Sequence, residues 1–337
     1  MTQKFDISTS TIFRFILIIV GLVFLFLIRD ILLMVFIALI IAAAIDAPVD
    51  WLARHKVRRT LGAAIIYLLV AALLISFIYW ALPSLAGQLK ELASISPDSL
   101  NQLIADISIF HQKLGADYAQ KLLSNLSDQL YSATGNIFGT AANVFGGVFS
   151  ALMIMVMSFY LVVQDKGIKK FLSSITPIDH RAYVVSLAER IQTKLGRWLR
   201  AQLLIMTIVA ALVFLGLFFL KVEFALILAV LAGILEIIPY IGPVLAGFMA
   251  VSLAFLQSPL LALLVLILFV AVHQVEGYIL IPQIMKRVIG INPLVVIISM
   301  VIGAKLMGIL GVVVAVPIVA TASVFLGDIF LKEEEKQ

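Results

Sequence analysis

Residues 225–250 read ALILAVLAGILEIIPYIGPVLAGFMA, an apolar run interrupted by one carboxylate, two prolines and a tyrosine. The interruption decides the fold. A bilayer core of about 30 Å needs roughly 20 helical residues, so the region 224–256 is long for one ordinary span and short for two. The piece from Phe224 to Ile238 is 15 residues, about 22 Å as helix, and the piece after Pro243 is similarly short. Pro239 and Pro243 remove backbone donors, Gly242 admits unusual dihedrals, and broken backbone at membrane depth survives only where protein buries it or water reaches it. The stretch EIIPYIGP (236–243) is therefore expected as the tip of a discontinuous helix or of a re-entrant hairpin.

The rest of the chain fits that setting. Hydrophobic residues make up 63% of the 337, charged residues only 13%, and the mean hydropathy is +1.16. Soluble domains are roughly half apolar and a quarter charged, so the composition predicts an all-α polytopic integral membrane protein. Spans are expected near 12–28, 31–53, 60–82, 138–163, 198–220 and 260–280, with less regular regions at 224–256 and 291–330. The first follows a short polar start and lacks a small-residue cleavage site before Arg29 and Asp30, so it reads as an uncleaved anchor. Cysteine is absent, which excludes disulfides and thiolate metal sites.

Loop charge predicts the orientation, because Lys and Arg accumulate on the cytoplasmic side. The link RHKVRR (54–59) is strongly basic, and residues 164–200 carry eight Lys or Arg against three Asp or Glu. Both are expected inside, with the two termini. The connection from Ser84 to Asn136 is net acidic and is expected outside. The chain then divides into three N-terminal spans (1–83), an extracytoplasmic amphipathic helical segment (84–136), a fourth span (137–163), a basic cytoplasmic segment (164–197), a C-terminal transport core with broken helices (198–330) and a cytoplasmic tail (331–337). In the outer segment Leu100, Leu103, Ile104, Ile107, Phe110 and Leu114 recur at helical spacing, suited to the membrane surface, to a neighbouring subunit or to a lid. In the inner one Val184, Val185, Leu187, Ala188, Ile191 and Leu195 form an apolar stripe leading into the span at Trp198. Anionic lipid headgroups are the natural partners of the basic loops. No recognition motif for nucleic acid is present.

Ionisable residues inside a membrane are functional candidates by default. With Glu223 at the outer interface, Glu236 falls roughly 20 Å along the helix, where a charge costs at least about 2.5–3.5 kcal/mol. A second cluster lies in HQVEGYILIPQ (273–283): His273 and Glu276 share a helix face, with Gln274, Tyr278 and Gln283 nearby. Counted from Leu260, Glu276 is expected near the inner face, within reach of water. Lys305, between two apolar runs, either snorkels to an interface or pairs with Glu236 or Glu276. Asn292 and Pro293 open a short segment expected to end near Gly303, and Pro282 is a further helix-break position. Asp46 and Pro48 in IDAPVDWL read mainly as helix-end residues. Two candidate ligands without a third do not make a metal site, no cofactor is implied, and neither a P-loop, H-E-x-x-H nor G-x-S-x-G occurs, so no enzyme is expected.

EIIPYIGP together with VHQVEGYILIPQIMKRVIGINPLVVIISMVIGAKLMGILGVVVAVPIVA (272–320) resembles the autoinducer-2 exporter family of bacterial membrane proteins. DAPVDWL, FYLVVQDK and GRWLRAQLL extend the likeness along nearly the whole chain. The resemblance implies an inner-membrane transporter of about eight spans; some members are linked to export of autoinducer-2, others to exchange of sodium or lithium for protons. Two mechanisms follow as expectations. In the first, Glu236, Tyr240, Gln274, Glu276 and Asn292 bind a small polar metabolite such as autoinducer-2. In the second, Glu236 alternates between a proton and a monovalent cation.

Overall fold

The computed structural model describes residues 9–93, 137–164, 167–285 and 292–334. The described residues form helices: α1 (Thr9–Leu27), α2 (Arg29–Arg54), α3 (Arg59–Ala93), α4 (Ile137–Val163), α5 (Gly167–Ile175), α6 (Arg181–Phe219), α7 (Ala225–Leu235), α8 (Ile241–Gln257), α9 (Pro259–Val275), a π-helical segment (Glu276–Met285) and α10 (Pro293–Glu334). Among them α2, α6 with the 3₁₀ turn (Ile178–His180) before it, and α9 with the π segment are long and apolar enough to cross a membrane, and α10 has that length and composition only if its reversal at Gly308 is ignored. Large apolar side chains lie exposed along α1, α3 and the outer faces of α6 and α9, as lipid-facing surfaces require. The sequence-predicted outer helices between residues 94 and 136 lie outside the described residues, as do Lys286 and Arg287.

Two packed clusters organise the bundle. The smaller joins α2, α3 and α4 through Ala42, Val49, Ala63, Tyr67 and Val162. The larger runs along α6, where Trp198, Ala201, Ile205, Val209, Val213 and Leu217 recur every three or four residues and pack against Leu228, Ala229 and Ala232 of α7 and Ala246, Ala250 and Ala254 of α8. Small residues set the distance between these helices. A Cβ on Gly233 would lie 2.8 Å from both the Met206 carbonyl and the Ala210 methyl.

At 39 residues, α6 is about 58 Å long, nearly twice the bilayer core. Its basic first half therefore projects beyond the apolar layer, and α5 leaves α4 at 86° beside it. The apolar stripe read from 184–195 does run into the span without a break, ending in fully buried Leu195. At its far end α6 closes in a Schellman motif: Val222 N donates to Leu217 O at 3.0 Å, Lys221 N donates to Phe218 O at 3.1 Å, and Lys221 adopts φ 58°.

Pro48 is not at a helix end; α2 continues to Arg54. A proline inside a helix leaves the carbonyl four residues earlier without its donor, here that of Ala44. Arg200 of α6 supplies one, Nη1 donating to Ala44 O and Ala43 O at 3.2 Å each. Nor is Asp46 merely terminal. Its carboxylate accepts from Arg59 Nη2 at 2.8 Å and from Gln192 Nε2 at 2.8 Å, and Arg59 Nε also donates to Val162 O at 2.8 Å. One knot thus ties α2, α3, α4 and α6.

The irregular half consists of fold-backs. The extended turn at Ser258, with Ser258 Oγ capping α9 and Pro259 opening it, reverses the chain so that α8 and α9 run antiparallel, and Gly247 lies against Phe269, eleven residues from the turn on either side. A second reversal falls at Gly308, φ 61° and ψ −142°. Gly303 and Gly311 face each other across it, a Cβ on either striking the carbonyl of the other. The segment opened by Asn292 and Pro293 therefore runs on past Gly303 to this turn. Met300 packs on Val312 and Ala315, with Ile238 of the α7–α8 break beside them.

Candidate functional site

The break between α7 and α8 spans residues 236–240. Glu236 ends α7, its N–H still bonded to Ala232 O at 3.1 Å, and Tyr240, at φ 65° and ψ −46°, turns the chain into α8. Gly242 lies in the first turn of α8, so close to α7 that a Cβ would strike the Leu235 carbonyl. Pro243 also sits within that turn, where its missing N–H costs nothing. The break proper is thus shorter than its two prolines suggest, and only Pro239 lies in it.

The α8–α9 fold-back brings the end of α9 beside this break. Glu236 and Glu276 are both buried, 2% and 5% exposed, and they line one small cavity together. The expectation that Glu276 meets water near the inner face is thereby corrected: antiparallel packing turns it onto Glu236. His273 Nδ1 is 3.1 Å from Glu276 Oε2, and its ring is half exposed, so the imidazole links the buried pair to the protein surface. Glu276 also begins the π segment, which contains Pro282; such departures from α geometry are frequent at functional positions.

A cavity of about 10 Å³ lies between the carboxyls, lined by Val209, Val213, Ala232, Pro243, Phe269, Val272 and His273. That is room for one water-sized species. Glu236 Oε2 has no donor. Two carboxylates facing one small cavity in an apolar wall repel each other, and a shared proton or a bound cation between them relieves that repulsion. Gln202, buried on α6, donates from Nε2 to the Glu236 backbone carbonyl at 2.8 Å and fixes the break against α6. Sequence reasoning gave Gln202 no role, although an amide in the apolar run after Trp198 was its signal.

The remaining sequence candidates lie elsewhere. Tyr240 and Gln274 are exposed and do not line the cavity. Asn292 caps α10, its Oδ1 accepting from Leu294 N at 2.9 Å, and Pro293 is the first residue of that helix. Lys305 is exposed near the Gly308 turn; among the described residues no ion pair joins it to Glu236 or Glu276. No group of three metal-binding side chains occurs among the described residues.

A bundle of apolar helices, broken in its C-terminal half around paired buried carboxyls, is the architecture of a membrane transport protein. The chain belongs to the AI-2E transporter family, whose pattern it matches over residues 13–330. It is 29% identical to YueF of Bacillus subtilis (strain 168), a candidate transport protein by its name, over 82% of this chain and 79% of that one. It is 26% identical to the AI-2 transport protein TqsA of Escherichia coli (strain K12), over 83% and 81%, and 24% identical to a sodium-lithium/proton antiporter of Halobacillus andaensis, over 82% and 83%.

Proposed function

We propose that this transporter works as a monovalent cation/proton antiporter, with Glu236 and Glu276 as the exchange site. The burial of both carboxyl groups on one small cavity carries the reading. A proton held between them satisfies one state and a sodium or lithium ion the other, and neither state leaves two bare like charges in an apolar wall. Only one of the two occupants can be present at a time, which is the requirement for exchange. His273, bonded to Glu276 and half exposed, offers the proton a route to water. The likeness to the Halobacillus andaensis antiporter supports this reading.

Export of a small polar metabolite such as autoinducer-2 is the second reading, supported by the likeness to TqsA. Of its five proposed ligands only Glu236 and Glu276 share the cavity, which is too small for a metabolite in this conformation. Purified protein in liposomes separates the two. Under an imposed pH gradient, sodium or lithium flux that collapses the gradient supports antiport. Autoinducer-2 flux without cation-dependent proton movement would replace antiport with export.

A further inference from the structure

We propose that the cavity between the basic half of α6 and the end of α10 binds a phosphate-type anion, held by Lys194 and Arg197. This site is separate from the Glu236–Glu276 pair. The cavity holds about 490 Å³ and is lined by Glu189, Arg190, Thr193, Lys194 and Arg197 of α6 and by Val324 of α10, a volume within the range of small-ligand sites. Residues 190, 193, 194 and 197 recur at helical spacing, so their side chains converge on one face.

The charges on that face are not balanced. Arg190 is engaged by Asp328, Nη1 to Oδ1 at 2.6 Å with a second bond from Nη2 to Oδ2. Glu189, the carboxylate in the lining, is held by Lys169 of α5 at 2.8 Å. Lys194 donates only to a neutral hydroxyl, Ser323 Oγ, at 2.7 Å, and among the described residues no carboxylate pairs with Lys194 or Arg197. Among the described residues two positive charges without a carboxylate partner, with Thr193 beside them in the lining, thus face a concave surface. Lysine and arginine donors beside a hydroxyl suit the oxygens of a phosphate.

Such a phosphate has two sources, the headgroup of an anionic phospholipid or a free phosphate in solution. The surroundings favour the headgroup: Phe171 and Ile175 of α5 and Ile178 are exposed apolar side chains on the same basic segment of the chain, the pattern of helices lying at a membrane surface.

Full-length protein would be reconstituted in phosphatidylcholine nanodiscs with increasing phosphatidylglycerol, and bound anionic lipid counted by native mass spectrometry. Wild type should retain phosphatidylglycerol preferentially, and Lys194→Gln/Arg197→Gln should weaken that retention at least about tenfold, the scale of losing charge-assisted hydrogen bonds. Lys221→Gln/Lys305→Gln, which removes two exposed cations outside the basic loops, should retain it. Equal loss in both variants would reduce the effect to general surface charge and overturn the site. Unchanged retention in Lys194→Gln/Arg197→Gln would overturn it too, unless inorganic phosphate raises the melting temperature of wild type and not of that variant, which assigns the site to free phosphate. Should the double variant fail to fold, Arg197→Gln alone, at an exposed residue with no partner among the described residues, carries the same comparison.

Discussion

Gly303 and Gly311 lie backbone against backbone on opposite sides of Gly308. Eight residues along a straight helix they would stand about 12 Å apart, so their contact defines α10 as a folded-back hairpin. A side chain at either has nowhere to go, because its obstacle is a carbonyl. Gly311→Leu should cost about 1–3 kcal/mol by overpacking and reduce transport. Gly277→Ala, where a Cβ meets nothing within 4 Å, should leave both unchanged. Thermal unfolding in detergent and liposome flux check the pair.

The Arg200 bond to Ala44 O exists because Pro48 removes that carbonyl's helical donor. Arg200→Met should therefore destabilise the protein, and Pro48→Ala should restore part of the loss by returning an N–H to the ladder. A double-mutant cycle in thermal unfolding should give a coupling of about 0.5–3 kcal/mol. A coupling of zero would mean that Arg200 stabilises α2 by other contacts.

Lys221 occupies the left-handed position that closes α6. A residue with a Cβ pays roughly 1–2 kcal/mol there, and glycine does not. Lys221→Gly should raise the unfolding midpoint by the equivalent of about 1 kcal/mol without altering flux.

The membrane class, the proline break and a carboxylate placed at it were legible in the sequence, because composition and an ionisable group in an apolar run are local signals. Pairing of Glu236 with Glu276 was not. Counted along its own span, Glu276 falls near water; the reversal at Ser258 brings residues 236 and 276 to one cavity, and QSP (257–259) carries that turn as an N-cap followed by proline at the first helical position. The turn at Gly308 was hidden for a different reason. Glycines at 303, 308 and 311 fit ordinary helix packing equally well, and a positive φ leaves no mark on the sequence. Asp46 and Arg59 are thirteen residues apart, on two helices joined by a short link, and the reading of Asp46 as a helix-end residue left out that partner.

Gln202 acts on the site through backbone. Its amide holds the Glu236 carbonyl, and Gln202→Leu leaves that buried carbonyl without a partner, at a cost of about 1–3 kcal/mol. Transport should fall although no titratable group has changed. Gln202→Asn, too short to reach, should behave like Gln202→Leu; normal transport in both would remove Gln202 from the positioning of the break.

The exchange reading stands or falls on the two carboxyls acting together. If a cation binds between them, sodium or lithium stabilises the folded protein by mass action, by about 2.7 kcal/mol at a hundred times the dissociation constant, whereas choline, too large for the cavity, does not. Glu236→Gln and Glu276→Gln each keep the shape and much of the hydrogen bonding but remove one charge and one titrating group. Each single variant should therefore lose both the cation-dependent rise in melting temperature and the pH-driven flux, and the double variant should be no worse than either, because one missing carboxyl already disables the pair. His273→Gln should slow exchange while leaving the cation-induced stabilisation in place, since the imidazole lies on the route and not between the carboxyls. Additive losses in the two Glu variants would mean that the carboxyls act independently. Full cation-dependent stabilisation in Glu276→Gln would leave Glu236 as the site on its own and reject the pair.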